Sequence, residues 1–286
     1  MLDKVDRMQL VVRDAALASS TFEKLLGAEP AREKTSTHLN AKRLIMSLGT
    51  SELELCEPIG DGPAKHQLDN FGEGLMTAGF STPSLEKLSD HLASMDVPFT
   101  LEQGQLYIAA DVTYGLPMVV SPSKTRDRAG PVSFFYEATN TLQTDWQTVA
   151  DRYTSMFGLN ASGFSRISNT RFGYDGTLTL FNPDAGLDRI ELSQTFADQP
   201  GAMRRFVERR GDSFYMCFVE THDFVGLKER LLSHAAGLTA RSKDIATEQD
   251  TLWVHPKSLH GMLLGVSRTG FGWTWSGKPE QVPVLD

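Results

Sequence analysis

Residues 8–27 read MQLVVRDAALASSTFEKLLG, and the change of period inside this stretch decides the fold. The run from Met8 to Val12 suits a strand, whereas the segment from Ala15 carries a helical apolar pattern and stops at Gly27, a residue that tolerates positive φ. Two further apolar strands follow, KRLIMSLG (42–49) and SELELCEP (51–58). Working outward, the same order of strand, helix and short strands recurs three times. The second copy opens on GLMTAGFST (74–82), continues through the helix SLEKLSDHLASM (84–95) and ends in QLYIAAD (105–111) and PMVVSPS (117–123). The third opens on VSFFYEATN (132–140), followed by the helix TDWQTVADRYTSMFG (144–158) and strands near TRFGYDG, TLTLFNP and DRIELSQ (188–194). The fourth uses SFYMCFVET (213–221), the helix DFVGLKERLLSHA (223–235) with Gly237 as its expected stop, and the hairpin TLWVHPKSLHGMLLGVSR (251–268). The chain is therefore expected to be α+β, built from four βαβββ modules.

The 286 residues, 40% hydrophobic and 22% charged, fit two ordinary globular domains. The polar segment SPSKTRDRAGP (121–131) marks the boundary, giving an N-terminal domain over 1–123, a C-terminal domain over 130–270 and a tail over 271–286. A formal charge of -8 argues against nucleic acid as a partner. Cys56 and Cys217 are too few for a disulfide framework, and no window is apolar enough for a membrane span or a cleavable leader, so a cytoplasmic location is expected.

Helices one and three end in matching stops, FEKLLG and YTSMFG, whereas helices two and four run into a short loop and strand, MDVPFT and HAAGLTA. The modules thus alternate in kind, as two paired units in tandem. With LVVRDAALASSTFEKLLGAEP, SELELCEP, DRIELSQ and WVHPKSLHGMLLGVSR as its carriers, the chain resembles the vicinal oxygen chelate superfamily of glyoxalase I, methylmalonyl-CoA epimerase, extradiol dioxygenases and bleomycin-resistance proteins. The last module is similar to the epimerase branch. The resemblance implies that each pair of modules curls into a cupped mixed sheet whose cavity takes a small molecule.

Metal-using members of that family hold a divalent ion on the first and last strands of paired modules. Carried onto this sequence, those places fall on Arg7, Glu54, Thr77 and Val119 in the first cup and on Ser133, Glu191, Tyr215 and Gly265 in the second. A mononuclear site normally takes three or four donors. One carboxylate per cup leads to the expectation of no cofactor, with Fe, Mn or Zn at an atypical site as the alternative. Arg7 is expected to stand where the cation would be, facing Glu54, with Thr77 beside them in a secondary cavity.

Glu191 alternates with Ile190 and Leu192 and, if it points inward, gains a pKa suited to proton transfer; an outward carboxylate on a solvated face is the alternative. Tyr215 could polarise a carbonyl oxygen or could be core. Ser133, Phe135, Trp253 and His255 are the expected substrate-binding residues, although His255 and His260 also suit structural roles around a turn. The basic run Arg204, Arg205, Arg209 and Arg210 has helical spacing, and its alternatives are a cavity cap or a solvated face. The expected function is a glyoxalase-like, metal-independent lyase or isomerase acting next to a carbonyl of an apolar or aromatic metabolite, in a chain that could form a homodimer. The alternatives are a non-catalytic binding protein of the bleomycin-resistance type and a dioxygenase-like enzyme with atypical metal ligands.

Overall fold

The computed structural model describes residues 1–184, 186–241 and 250–281; the end of the expected tail, 282–286, lies outside the described residues. The first half runs β1 (Val5–Val11), α1 (Ala15–Leu26), β2 (Glu29–Ser36), β3 (Ala41–Leu48), β4 (Ser51–Pro58), α2 (Pro63–Phe71), β5 (Gly74–Thr82), α3 (Leu85–Ser94), β6 (Thr100–Glu102), β7 (Gln105–Ile108) and β8 (Met118–Pro122). The second runs β9 (Val132–Leu142), α4 (Trp146–Phe157), β10 (Ser165–Asn169), β11 (Tyr174–Leu180), β12 (Arg189–Thr195), α5 (Ala202–Arg210), β13 (Ser213–Thr221), α6 (Phe224–Ser233), β14 (Leu238–Ala240), β15 (Thr251–Val254), β16 (Leu264–Ser267) and α7 (Thr269–Trp275). Four βαβββ modules are present, with α2 and α5 as additional helices between the modules of each half.

The strands form two eight-stranded mixed sheets, in the orders β2-β3-β4-β1-β5-β8-β7-β6 and β10-β11-β12-β9-β13-β16-β15-β14. The first and last strands of a module run parallel, as β1 with β4 and β9 with β12, while the intervening strands return antiparallel. By contacts the chain divides into two compact units: unit 1 holds Met1–Val5, Thr77–Lys124 and Glu137–Tyr215, and unit 2 holds Asp6–Met76, Thr125–Tyr136 and Met216 onward.

The helix ends follow the local chemistry. Asp14 and Asp145 cap α1 and α4, accepting from Leu17 N and Thr148 N, and the left-handed Gly27 and Gly158 close them. Phe22, Leu25 and Leu26 bury the inner stripe of α1, and Val149, Tyr153, Met156 and Phe157 that of α4. The fourth module corrects one expectation. Helix α6 ends at Ser233, short of Gly237, with Ala235 at φ 56°. Its closing bonds run from Ala235 N to Leu232 O and from Ala236 N to Leu231 O, while Gly237 N is already tied to Ser258 Oγ. Among the described residues no helix is long and apolar enough to cross a membrane.

Candidate functional site

In unit 2, Arg7 lies opposite Glu52 and Gln9 opposite Glu54 along β1 and β4. Strand alternation puts these four side chains on one face. Glu54, fully buried, accepts from Arg7 Nη1 at 2.6 Å, Gln9 Nε2 at 2.8 Å and Arg43 Nη1 at 3.1 Å. Burial alone would raise the Glu54 carboxyl, but the charges of Arg7 and Arg43 and the Gln9 amide hold it below the usual carboxylate range. Arg126, from the segment between the sheets, extends the network to Asp6 at 2.5 Å and Glu52 at 3.3 Å. The Arg7 guanidinium is thus a fixed cation facing Glu54. Thr77 is buried on β5, in unit 1.

In unit 1 the corresponding strand pair carries the opposite charges. Along β9 and β12, Glu137 lies opposite Arg189 and Thr139 opposite Glu191. Glu191 therefore matches Glu54, and Glu137 matches Arg7. The first-strand position is Glu137 and not Ser133, because β9 has eleven residues against seven in β1 and three of its four additional residues come before the matching point. Glu191 is 5% exposed and points inward, accepting from Ser193 Oγ at 2.5 Å and sharing a hydrogen bond with the Glu137 carboxyl. Glu137 is anchored by Arg189 Nε at 2.7 Å and Thr139 Oγ1 at 3.0 Å. Burial pushes the Glu191 carboxyl well above its ordinary range, and the adjacent negative charge of Glu137 adds to the shift. Burial, with the charges of both carboxyls behind it, also raises the hydroxyl of Tyr174 on β11. Arg189 pairs with Glu137, and the raised Glu191 carboxyl is the one disposed to hold a proton. Such a group can give up a proton and take it back without contact with bulk water.

Tyr215 also belongs to unit 1, but no hydrogen bond joins it to Glu191; its ring meets Phe206 edge-on at 4.9 Å between centroids. The remaining expected residues belong to unit 2. The Ser133 hydroxyl lies 3.4 Å from His222 Nδ1, and Phe135 is fully buried with its N–H donated to Ser51 Oγ at 3.0 Å. Trp253 is half-buried and edge-on to Phe218, whose ring lies over Gly265 so closely that a Cβ there would collide with it. His255 Nε2 pairs with Thr239 Oγ1 at 2.9 Å, and His260 lies between Glu73 at 3.0 Å and Thr21 at 3.1 Å in an open cleft of about 460 Å³. Both histidines tie the turn to neighbouring elements. Sequence reasoning passed over Glu137, Arg189, Arg43 and Gln9. The available signal was a charged or amide side chain inside a strand otherwise expected to be buried.

Residues 4–114 match the family described as Glyoxalase/Bleomycin resistance protein/Dioxygenase superfamily. The match lies wholly within the first half of the chain. The fold of the whole chain is similar to a triple mutant of 4-hydroxymandelate synthase from Streptomyces coelicolor, with TM-score 0.71 and 14% identity over 96% of each chain. It is also similar to a xylose isomerase-like TIM barrel/4-hydroxyphenylpyruvate dioxygenase fusion protein, with TM-score 0.65 and 11% identity over 99% of this chain and 52% of that one. Methylmalonyl-CoA epimerase from Mycobacterium tuberculosis matches 48% of this chain and 89% of its own at TM-score 0.41 and 17% identity. No curated protein matches the chain in sequence.

The likeness of residues 4–114 to this superfamily, which is typically metal-binding, overturns the expectation of a chain without a cofactor. That expectation rested on side chains counted at eight positions, one of which the strand register moves by four residues. The donors themselves remain a poor match to a metal. Arg7 and Arg189 place guanidinium groups against Glu54 and Glu137, and among the described residues no three His, Cys, Asp or Glu side chains converge. The metal implied by the superfamily and this donor set disagree.

Proposed function

We propose that the chain is an enzyme of the glyoxalase superfamily that moves a proton next to a carbonyl of a small apolar or aromatic molecule, in a lyase or isomerase reaction, with Glu191 carrying the proton. The observation that supports this reading is the buried Glu191 carboxyl, held against a Glu137 that is paired with Arg189. A carboxyl of raised pKa in such a setting is suited to proton transfer. Tyr215 is left out of this step, because its ring is engaged with Phe206 and no hydrogen bond brings it to Glu191.

The test is exchange of the hydrogen next to the carbonyl in D2O, followed by NMR across a panel of aryl ketones and aryl 2-oxo acids. General acid–base groups contribute roughly 100- to 10,000-fold. Glu191→Gln is expected to lower the exchange rate by at least about 100-fold while ligand binding persists. Exchange at the wild-type rate in that variant refutes the assignment. Tight binding without exchange by either protein would instead identify a sequestering protein of the bleomycin-resistance type.

A further inference from the structure

Helix α5, AMRRFVERR, packs four arginines and one glutamate into nine residues of a chain with formal charge -8. Arg204 is neutralised by Glu208 one turn on, at 2.8 Å. Arg205 and Arg209 are exposed and enter no ion pair or hydrogen bond among the described residues. They stand four apart on one stripe of the helix, a like-charge spacing that is mildly destabilising unless something outside the helix answers it. Phe206 and Arg210 form the adjoining stripe, with the Arg210 guanidinium 4.7 Å from the Phe206 ring centroid. Tyr215 of β13 meets Phe206 at 69°, and both rings are only partly covered. The Tyr215 hydroxyl has no hydrogen-bond partner among the described residues, and Arg205 is near enough for its charge to act on it, against the larger effect of burial.

The face therefore sets two free guanidinium groups beside a pair of half-covered rings, all within unit 1. Guanidinium forks match phosphate oxygens, and a partly exposed ring edged by a cation suits a flat aromatic group. We propose that Arg205, Phe206, Arg209, Arg210 and Tyr215 form a binding site for a small phosphate ester bearing a flat aromatic group, of the chemical class of a purine nucleotide. From Arg205 to Arg210 the patch rises about 8 Å along the helix. That length fits one such molecule, and the overall negative charge disfavours a nucleic acid polymer. The site stands independently of any proton transfer by Glu191.

Calorimetric titration of the full chain at low salt with ADP, adenosine and pyrophosphate tests this. ADP is expected to bind at least tenfold more tightly than either fragment. The double variant Arg205→Gln, Arg209→Gln is expected to weaken ADP at least tenfold and to flatten its salt dependence; both side chains are exposed, and a circular dichroism melt verifies the fold. Phe206→Leu is expected to weaken ADP and adenosine while sparing pyrophosphate. Absence of ADP binding, or binding unchanged in both variants, overturns the proposal; pyrophosphate binding as tightly as ADP overturns its aromatic half.

Discussion

Arg7 and Glu137 occupy the same register position in the two sheets, Arg7 opposite Glu52 and Glu137 opposite Arg189, so a buried ion pair of one polarity in the first sheet has reversed polarity in the second. Each of these groups is at most 5% exposed, which makes their removal costly.

Arg7→Met is expected to destabilise the protein by about 3–5 kcal/mol, because it strips a buried Glu54 of its closest partner. Arg126→Ala, which removes a guanidinium at the margin of the same network, should cost less. Urea denaturation of both variants measures the order, and equal losses would show that burial is not the deciding factor.

Gly265→Ala should lose about 1–3 kcal/mol, since the new methyl group needs the space that the Phe218 ring fills. Phe218→Leu, which shortens that ring, is expected to relieve the clash. A double-mutant cycle by thermal denaturation should give a favourable coupling of about 1 kcal/mol or more; strict additivity counts against the contact.

Burial pushes the Asp188 carboxyl up to about 7, only partly opposed by the hydrogen bond that it accepts from Val5 N. An unfolded Asp titrates near about 3.9, so between these values the folded chain holds one proton more than the unfolded chain. The contribution of this group is complete below the unfolded value and is lost as pH rises toward 7. Asp188→Asn keeps an oxygen for Val5 N and should abolish that part of the decline, a difference readable from urea midpoints at acid and neutral pH. Parallel curves for the two proteins would remove Asp188 as the cause.

The modules were legible in the sequence where burial imposes a period. Helices α1 and α4 show it together with Asp caps and Gly stops, and strands such as β4 and β12 hold apolar runs. Strand β2 was not legible, because seven of the eight residues of EPAREKTS are exposed and nothing in that stretch repeats with the period of a strand. The Arg7–Glu54 pair could be placed from the pattern, whereas alternation left Glu191 open between the two faces of its strand and gave no sign of Glu137. Finding it required the register between β9 and β12, and register is set by pairing across 52 residues of chain rather than by local composition.

The reversed polarity of the two strand pairs also bears on how a tandem chain avoids folding into the wrong partnership. Were β1 to pair with β12, Arg7 would meet Arg189 out of water; were β9 to pair with β4, Glu137 would meet Glu52. Each exchange sets two like charges directly opposite one another at a buried position, a penalty that similar modules with neutral strands would not impose. Opposite polarity at one register position thereby disfavours an exchange of first strands between the two halves.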